Sequence, residues 1–156
     1  MSIVVKAPNG YTKDRFTVFL AGTIDNGESV NWQKQAEEYL DDLDIIILNP
    51  RRDDWDSNIV ANSLNDPFKE QVNWELEGLG IADVVLFYFA PNSKSPVSML
   101  ELGICLETQN VIIVCPEDFW RKSNIEITAK RYGISIFESL ETGLAMLRTK
   151  ALWSEE

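Results

Sequence analysis

Short apolar runs and longer amphipathic stretches alternate along the chain. Residues 16–21 (FTVFLA), 45–48 (IIIL), 84–89 (VVLFYF), 111–115 (VIIVC) and 134–137 (ISIF) are rich in β-branched and aromatic side chains. They are nearly continuous in apolar character, the pattern of strands covered on both faces. Between them the period changes to that of a helix. Trp32, Ala36, Tyr39, Leu40 and Leu43 fall on one side, with Glu37, Glu38, Asp41 and Asp42 on the other as a solvated face. A second helix is predicted to open with Asp66 as N-cap and Pro67 at N1, burying Phe68, Val72, Leu76 and Leu79. A third opens at Ser95-Pro96 and ends near Asn110. Ser123 and Glu126 read as a capping box for a fourth. A fifth covers about residues 140–150. The Asn9-Gly10 pair predicts a turn closing a small N-terminal hairpin.

Five strand–helix units in 156 residues predict a single α/β domain over residues 1–156. The expected core is a doubly wound, five-stranded parallel sheet of flavodoxin-like order 2-1-3-4-5, with helices on both faces. In such sheets ligands bind at the carboxyl ends of the strands, where the strand order reverses. That directs attention to the loops at 22–29 and 90–95. No repeat or linker divides the chain. Its longest apolar run, residues 84–91, is far short of the ~20 residues of a membrane span. The N-terminal apolar stretch is too short for a signal peptide. Cys105 and Cys115 sit in apolar runs and read as buried free thiols of a reducing cytoplasm.

Charge narrows the chemistry. There are 25 acidic and 14 basic residues, net −11, and no histidine. Without histidine there is no Ser-His-Asp or Cys-His catalysis, and most zinc sites are excluded. The acidic balance argues against a nucleic-acid partner. A phosphorylated receiver domain needs an aspartate ending its third strand, where this chain has Tyr88-Phe89-Ala90. A dinucleotide site needs a glycine-rich phosphate loop, and Gly22-Thr23-Ile24-Asp25-Asn26-Gly27 carries an acid in its middle.

Glu101 stands apart from the other acids. It is the only charge in residues 97–106 (VSMLELGICL) and shares a helical face with Val97, Ser98, Ile104 and Cys105, with Gly103 behind it for close packing. A carboxylate there costs free energy unless paired or used. Glu75 borders the apolar stripe of the preceding helix at similar depth. Adjacent helices on one sheet face place both carboxylates in one pocket, the apparatus of glycosyl transfer, which needs neither metal nor cofactor. The alternative for Glu101 is a glutamate reaching solvent at the helix edge, and for Glu75 one favoured in the N-terminal half of its helix by the helix dipole.

At these residues the chain resembles the nucleoside 2-deoxyribosyltransferase family, which includes deoxynucleoside monophosphate N-hydrolases. The similarity spans roughly residues 16–115. It rests on Phe19-Leu20-Ala21-Gly22, Ala82-Asp83-Val84-Val85 and Ser98-Met99-Leu100-Glu101-Leu102-Gly103. The resemblance implies that Glu101 is the nucleophile forming a covalent deoxyribosyl-enzyme, and that Glu75 holds the position of the sugar-orienting acid. Ser95 matches a position that is aspartate in the transferases and serine in the nucleotide hydrolases. Phe19 stands where the family commonly has tyrosine, and no aspartate lies between Asp83 and Glu101 to serve the leaving base.

The expected substrate wall comprises Phe19, Gly22, Thr23, Ile24, Asp25, Asn49, Pro50, Arg51, Trp55, Ser95 and Ser98. Trp55 would stack on a base or simply pack at the surface. Arg51 or Arg52 would meet a 5′-phosphate or pair with a neighbouring aspartate. The resemblance also implies a homo-oligomer, dimer or higher. The leading expectation is an enzyme that cleaves the N-glycosidic bond of a 2′-deoxynucleoside or its monophosphate. The alternatives are a nucleoside-binding or sensing module with catalysis lost, and a structural oligomer without a ligand.

Overall fold

A computed structural model describes residues 1–24, 30–52 and 58–154. Among them are six strands and five helices: β1 (Ile3–Lys6), β2 (Thr17–Gly22), α1 (Trp32–Tyr39), β3 (Ile46–Asn49), α2 (Asp66–Ile81), β4 (Val84–Tyr88), α3 (Pro96–Cys105), β5 (Val111–Val114), α4 (Lys122–Arg131), β6 (Ile136–Phe137) and α5 (Leu140–Trp153). The strands form one sheet of order β1-β3-β2-β4-β5-β6, every neighbouring pair parallel. The five strands expected from sequence lie in the expected relative order, and the doubly wound architecture holds.

The sixth strand is the difference. The Asn9-Gly10 turn closes no hairpin, because β3 lies between β1 and β2. Instead Ile3–Lys6 pairs in parallel with Ile46–Asn49. Half-exposed Ile3 and Val4 mark it as an edge strand, too short and too thinly apolar to stand out in the sequence. The following segment folds over α2: Trp74 Nε1 donates to the Asn9 carbonyl at 2.9 Å, and the Tyr11 and Trp74 rings meet edge-on.

The sheet is covered on both sides. One apolar layer joins Phe19, Val85, Phe87 and Ile113 to Trp74 and Leu79 of α2, Leu102 and Cys105 of α3, and Ile125 of α4. The other joins Val18, Leu20, Leu86 and Ile112 to Trp32 and Ala36 of α1 and Leu144 and Leu147 of α5. Strand residues alternate between the two layers, as the pleat requires.

Several helix details differ from expectation. Asn65, not Asp66, caps α2, its side chain accepting from Phe68 N. Helix α4 begins at Lys122 without a side-chain cap, so Ser123 forms no capping box. Helix α3 ends at Cys105, and Gly103 faces open space rather than a close neighbour.

The largest change is the rotation of α2. It buries Gln71, Trp74, Gly78 and Leu79, while Leu76 is exposed. Trp74 decides this, because its ring packs 6.0 Å from that of Phe19. Gly78 permits the approach: a Cβ there would stand 2.7 Å from the Phe19 ring. Phe68 and Val72, expected in the core, are thereby turned toward a cavity.

Candidate active site

A cavity of about 430 Å³ opens where α2 and α3 begin, beyond the carboxyl ends of β2 and β3. This is the switch point, since the chain leaves β2 toward β3 on one side and β4 lies on the other. Gly22 and Ile24 line the cavity from the end of β2, and Pro50 and Arg52 from the end of β3. Gly22 can hold that position only as glycine. Its φ is +135°, and a Cβ would fall 2.2 Å from the Tyr88 carbonyl oxygen.

Helix α2 contributes Phe68, Gln71, Val72 and Glu75, which recur at helical spacing as one stripe. Helix α3 and its start contribute Ser95, Pro96, Val97, Ser98 and Glu101. The two carboxylates thus share one wall. Glu101 is 8% exposed, and burial, then the charge of Glu75, pushes its carboxyl up to about 8. Burial likewise pushes Glu75 up to about 7, with the Gln71 amide pulling the other way. Gln71 Nε2 donates to Glu75 Oε1 at 3.1 Å and to the Pro50 carbonyl at 2.9 Å.

Beside Glu101 the Cys105 thiol is pushed up to about 11 by burial and the carboxylate's charge, so it is no thiolate nucleophile. Among the described residues no group of three or more His, Cys, Asp or Glu side chains is placed to hold a metal ion.

The start of α3 is tied to the end of β2 by a knot of hydroxyls. Thr23 Oγ1 lies 2.7 Å from Ser95 Oγ and 3.1 Å from Ser93 Oγ, and the two serines are 2.9 Å apart. Ser93 donates to the Ala90 carbonyl, and Ala90 N donates back to Thr23. Ser95 holds a left-handed φ of 47° within this knot. The chain therefore enters α3 in one orientation, with Ser98 and Glu101 facing the cavity.

Of the expected site residues, Glu101, Glu75, Gly22, Ile24, Pro50, Ser95 and Ser98 come together around the cavity. Four others do not line it. Phe19 is fully buried beneath Trp74 and Gly78. Thr23 is buried in the hydroxyl knot. Asn49 donates to Glu37 and accepts from Arg51 N. Arg51 turns toward α1, donating to the Val30 carbonyl and Gln33. Asp25 and Trp55 lie outside the described residues.

Val97 and Ile104 are exposed, so the helical face of Glu101 consists of Ser98, Leu102 and Cys105. Asp83 sits at the far end of the sheet, where it accepts from Thr17 N at 2.7 Å and pairs with Lys13. Sequence reasoning left Phe68 and Gln71 out of the site and named Arg52 only as the alternative to Arg51. The first two lay on the α2 stripe with Glu75, and their spacing to it was the available signal.

Residues 15–119 match the family model described as "nucleoside 2-deoxyribosyltransferase like". No curated protein matches the chain. Among solved structures, a conserved protein from Enterococcus faecalis V583 is similar, with a TM-score of 0.51 at 14% identity over 88% of each chain. That likeness is one of fold.

Proposed function

Because the chain belongs to the nucleoside 2-deoxyribosyltransferase-like family, we propose that it cleaves the N-glycosidic bond of a 2′-deoxynucleoside or its 5′-monophosphate. The observation that carries this reading is a pair of carboxyl groups, buried Glu101 and partly buried Glu75, on one wall of a nucleoside-sized cavity. Ionised Glu101 attacks C1′ of the sugar. As the Glu101–C1′ ester bond forms, the C1′–N bond breaks and its electron pair stays on the departing base.

That nitrogen takes up a proton. No aspartate lies between Asp83 and Glu101 to supply it, but the carboxylate pair holds a proton of its own near neutral pH. A second base nitrogen, or water, then attacks C1′ and returns its proton to the carboxylate pair as the ester bond breaks to free Glu101. Glu75, fixed by Gln71, orients the sugar.

Arg52, rather than Arg51, is the cation on the described wall that would meet a 5′-phosphate. The test is base release and base exchange, followed by chromatography with deoxynucleosides, a second free base and deoxynucleoside monophosphates. Glu101→Ala is expected to abolish both, and activity surviving that change overturns the nucleophile.

A second reading, a nucleoside-binding module without catalysis, is favoured by Phe19, which lacks a hydroxyl and lies in the core. Saturable nucleoside binding with no turnover would select it. We also propose that two or more copies associate. Val97, Leu100 and Ile104 form an exposed apolar stripe on α3, with exposed Leu76 on α2. Val97 belongs both to this stripe and to the cavity wall, so a second copy seated there would close the site's edge.

A further inference from the structure

Gln71 is a tightly held polar group in the cavity wall. Its side chain is nine-tenths buried. Both protons of its amide nitrogen are committed, one to the Pro50 carbonyl and one to Glu75. A carbonyl can only accept, so the amide cannot be turned over without setting its oxygen against the Pro50 oxygen. The orientation is therefore fixed, and Oε1 projects the other way. That oxygen has no hydrogen-bond partner among the described residues. A buried acceptor without a donor is disfavoured, and native proteins rarely keep one. The other such atom, the Tyr11 hydroxyl, is not on this cavity.

Position along α2 says which part of a ligand would supply the donor. Gln71 lies between Phe68, one turn nearer the helix start, and Glu75, one turn further in. Phe68, Val72 and Pro50 give the Gln71 level an apolar wall fit for a flat ring, while Glu75 and Glu101 lie together on the sugar side. We infer that Gln71 determines base specificity, its Oε1 accepting a hydrogen bond from an N–H of the nucleobase. This rests on reading the cavity as a nucleoside site. The ligands favoured are bases with an amino or ring N–H directed at α2, and analogues lacking that hydrogen are rejected because they leave the oxygen unpaired.

Matched pairs of nucleosides provide the test: 2′-deoxyadenosine against purine 2′-deoxyriboside, 2′-deoxyguanosine against 2′-deoxyinosine, and thymidine against 3-methylthymidine. Affinities are measured by calorimetry on the Glu101→Gln protein, which holds substrate uncleaved, and kcat/KM on the unaltered chain. In at least one pair the N–H-bearing member is expected to be preferred about tenfold or more. Gln71→Met, similar in size but without an acceptor amide, is expected to remove that preference: loss of the bonds to Pro50 and Glu75 weakens both members of a pair alike, and the N–H-bearing member loses the further tenfold. Equal treatment of all three pairs by the unaltered chain overturns the inference, whether or not the variant folds. A preference that persists in Gln71→Met overturns it equally. Failure of every nucleoside to bind overturns the nucleoside reading itself, and the specificity inference with it.

Discussion

Two carboxyl groups that both prefer to be neutral are an unusual expense in a chain with 25 acidic residues. Burial raises Glu75 to about 7 and Glu101 to about 8, against the ordinary glutamate value near 4.5 that each has when unfolded. The folded state thus binds more protons than the unfolded state between those values, and stability declines as pH rises from about 4.5 through 8. Below pH 4.5 both states are protonated and the penalty is absent. Glu101→Gln is expected to stabilise the protein by roughly 2 kcal/mol at pH 8 and negligibly at pH 4. Thermal unfolding at the two pH values checks this.

The same coupling predicts the pH dependence of turnover. The nucleophile must be ionised, so activity rises as pH climbs toward 7–8. Glu75→Gln leaves the burial of Glu101 in place but removes the negative charge that adds to it in holding Glu101 up. The acid limb of kcat/KM is then expected to move to lower pH even as the rate falls, and a full pH–rate profile of that variant reads the shift.

At the scale of elements, α2 does more than its sequence suggested. Its apolar residues were legible, but their use was not, because a periodic stripe does not say whether it faces a sheet or a cavity. Trp74 and Gly78 settle that by locking onto Phe19, a tertiary contact that no local pattern encodes. Strand β1 was missed for the opposite reason, since an edge strand buries little and leaves little apolar signal. The inner strand order and the isolation of Glu101 were legible, because both follow from apolar continuity along the chain. Helix α2 hangs on its start, where Asn65 accepts from Phe68 N. Asn65→Ala is expected to cost about 1 kcal/mol, measured by denaturant unfolding. It is also expected to weaken ligand binding, because Phe68 stands in that first turn.

At the scale of the whole molecule, the two sheet faces divide the labour. The α1–α5 side is packing, whereas the α2–α3 side carries both the cavity and the apolar stripe of Val97, Leu100 and Ile104. Leu100→Glu is expected to shift the proposed assembly toward monomer in sedimentation velocity, and an unchanged sedimentation coefficient would argue that the stripe is not the contact. The hydroxyl knot has a wider consequence. Three hydroxyl protons there are shared among five contacts, so Ser95 offers a ligand its lone pairs freely and its hydrogen only at the knot's expense. The Gln71 oxygen offers lone pairs too, as does whichever of the two carboxyl groups has lost its proton. Among the described lining side chains, Arg52 alone brings a positive charge. The cavity is thus a basin of acceptors with a single cationic corner, welcoming to a molecule rich in hydroxyls and amines, tolerant of one phosphate, and inhospitable to a chain of them.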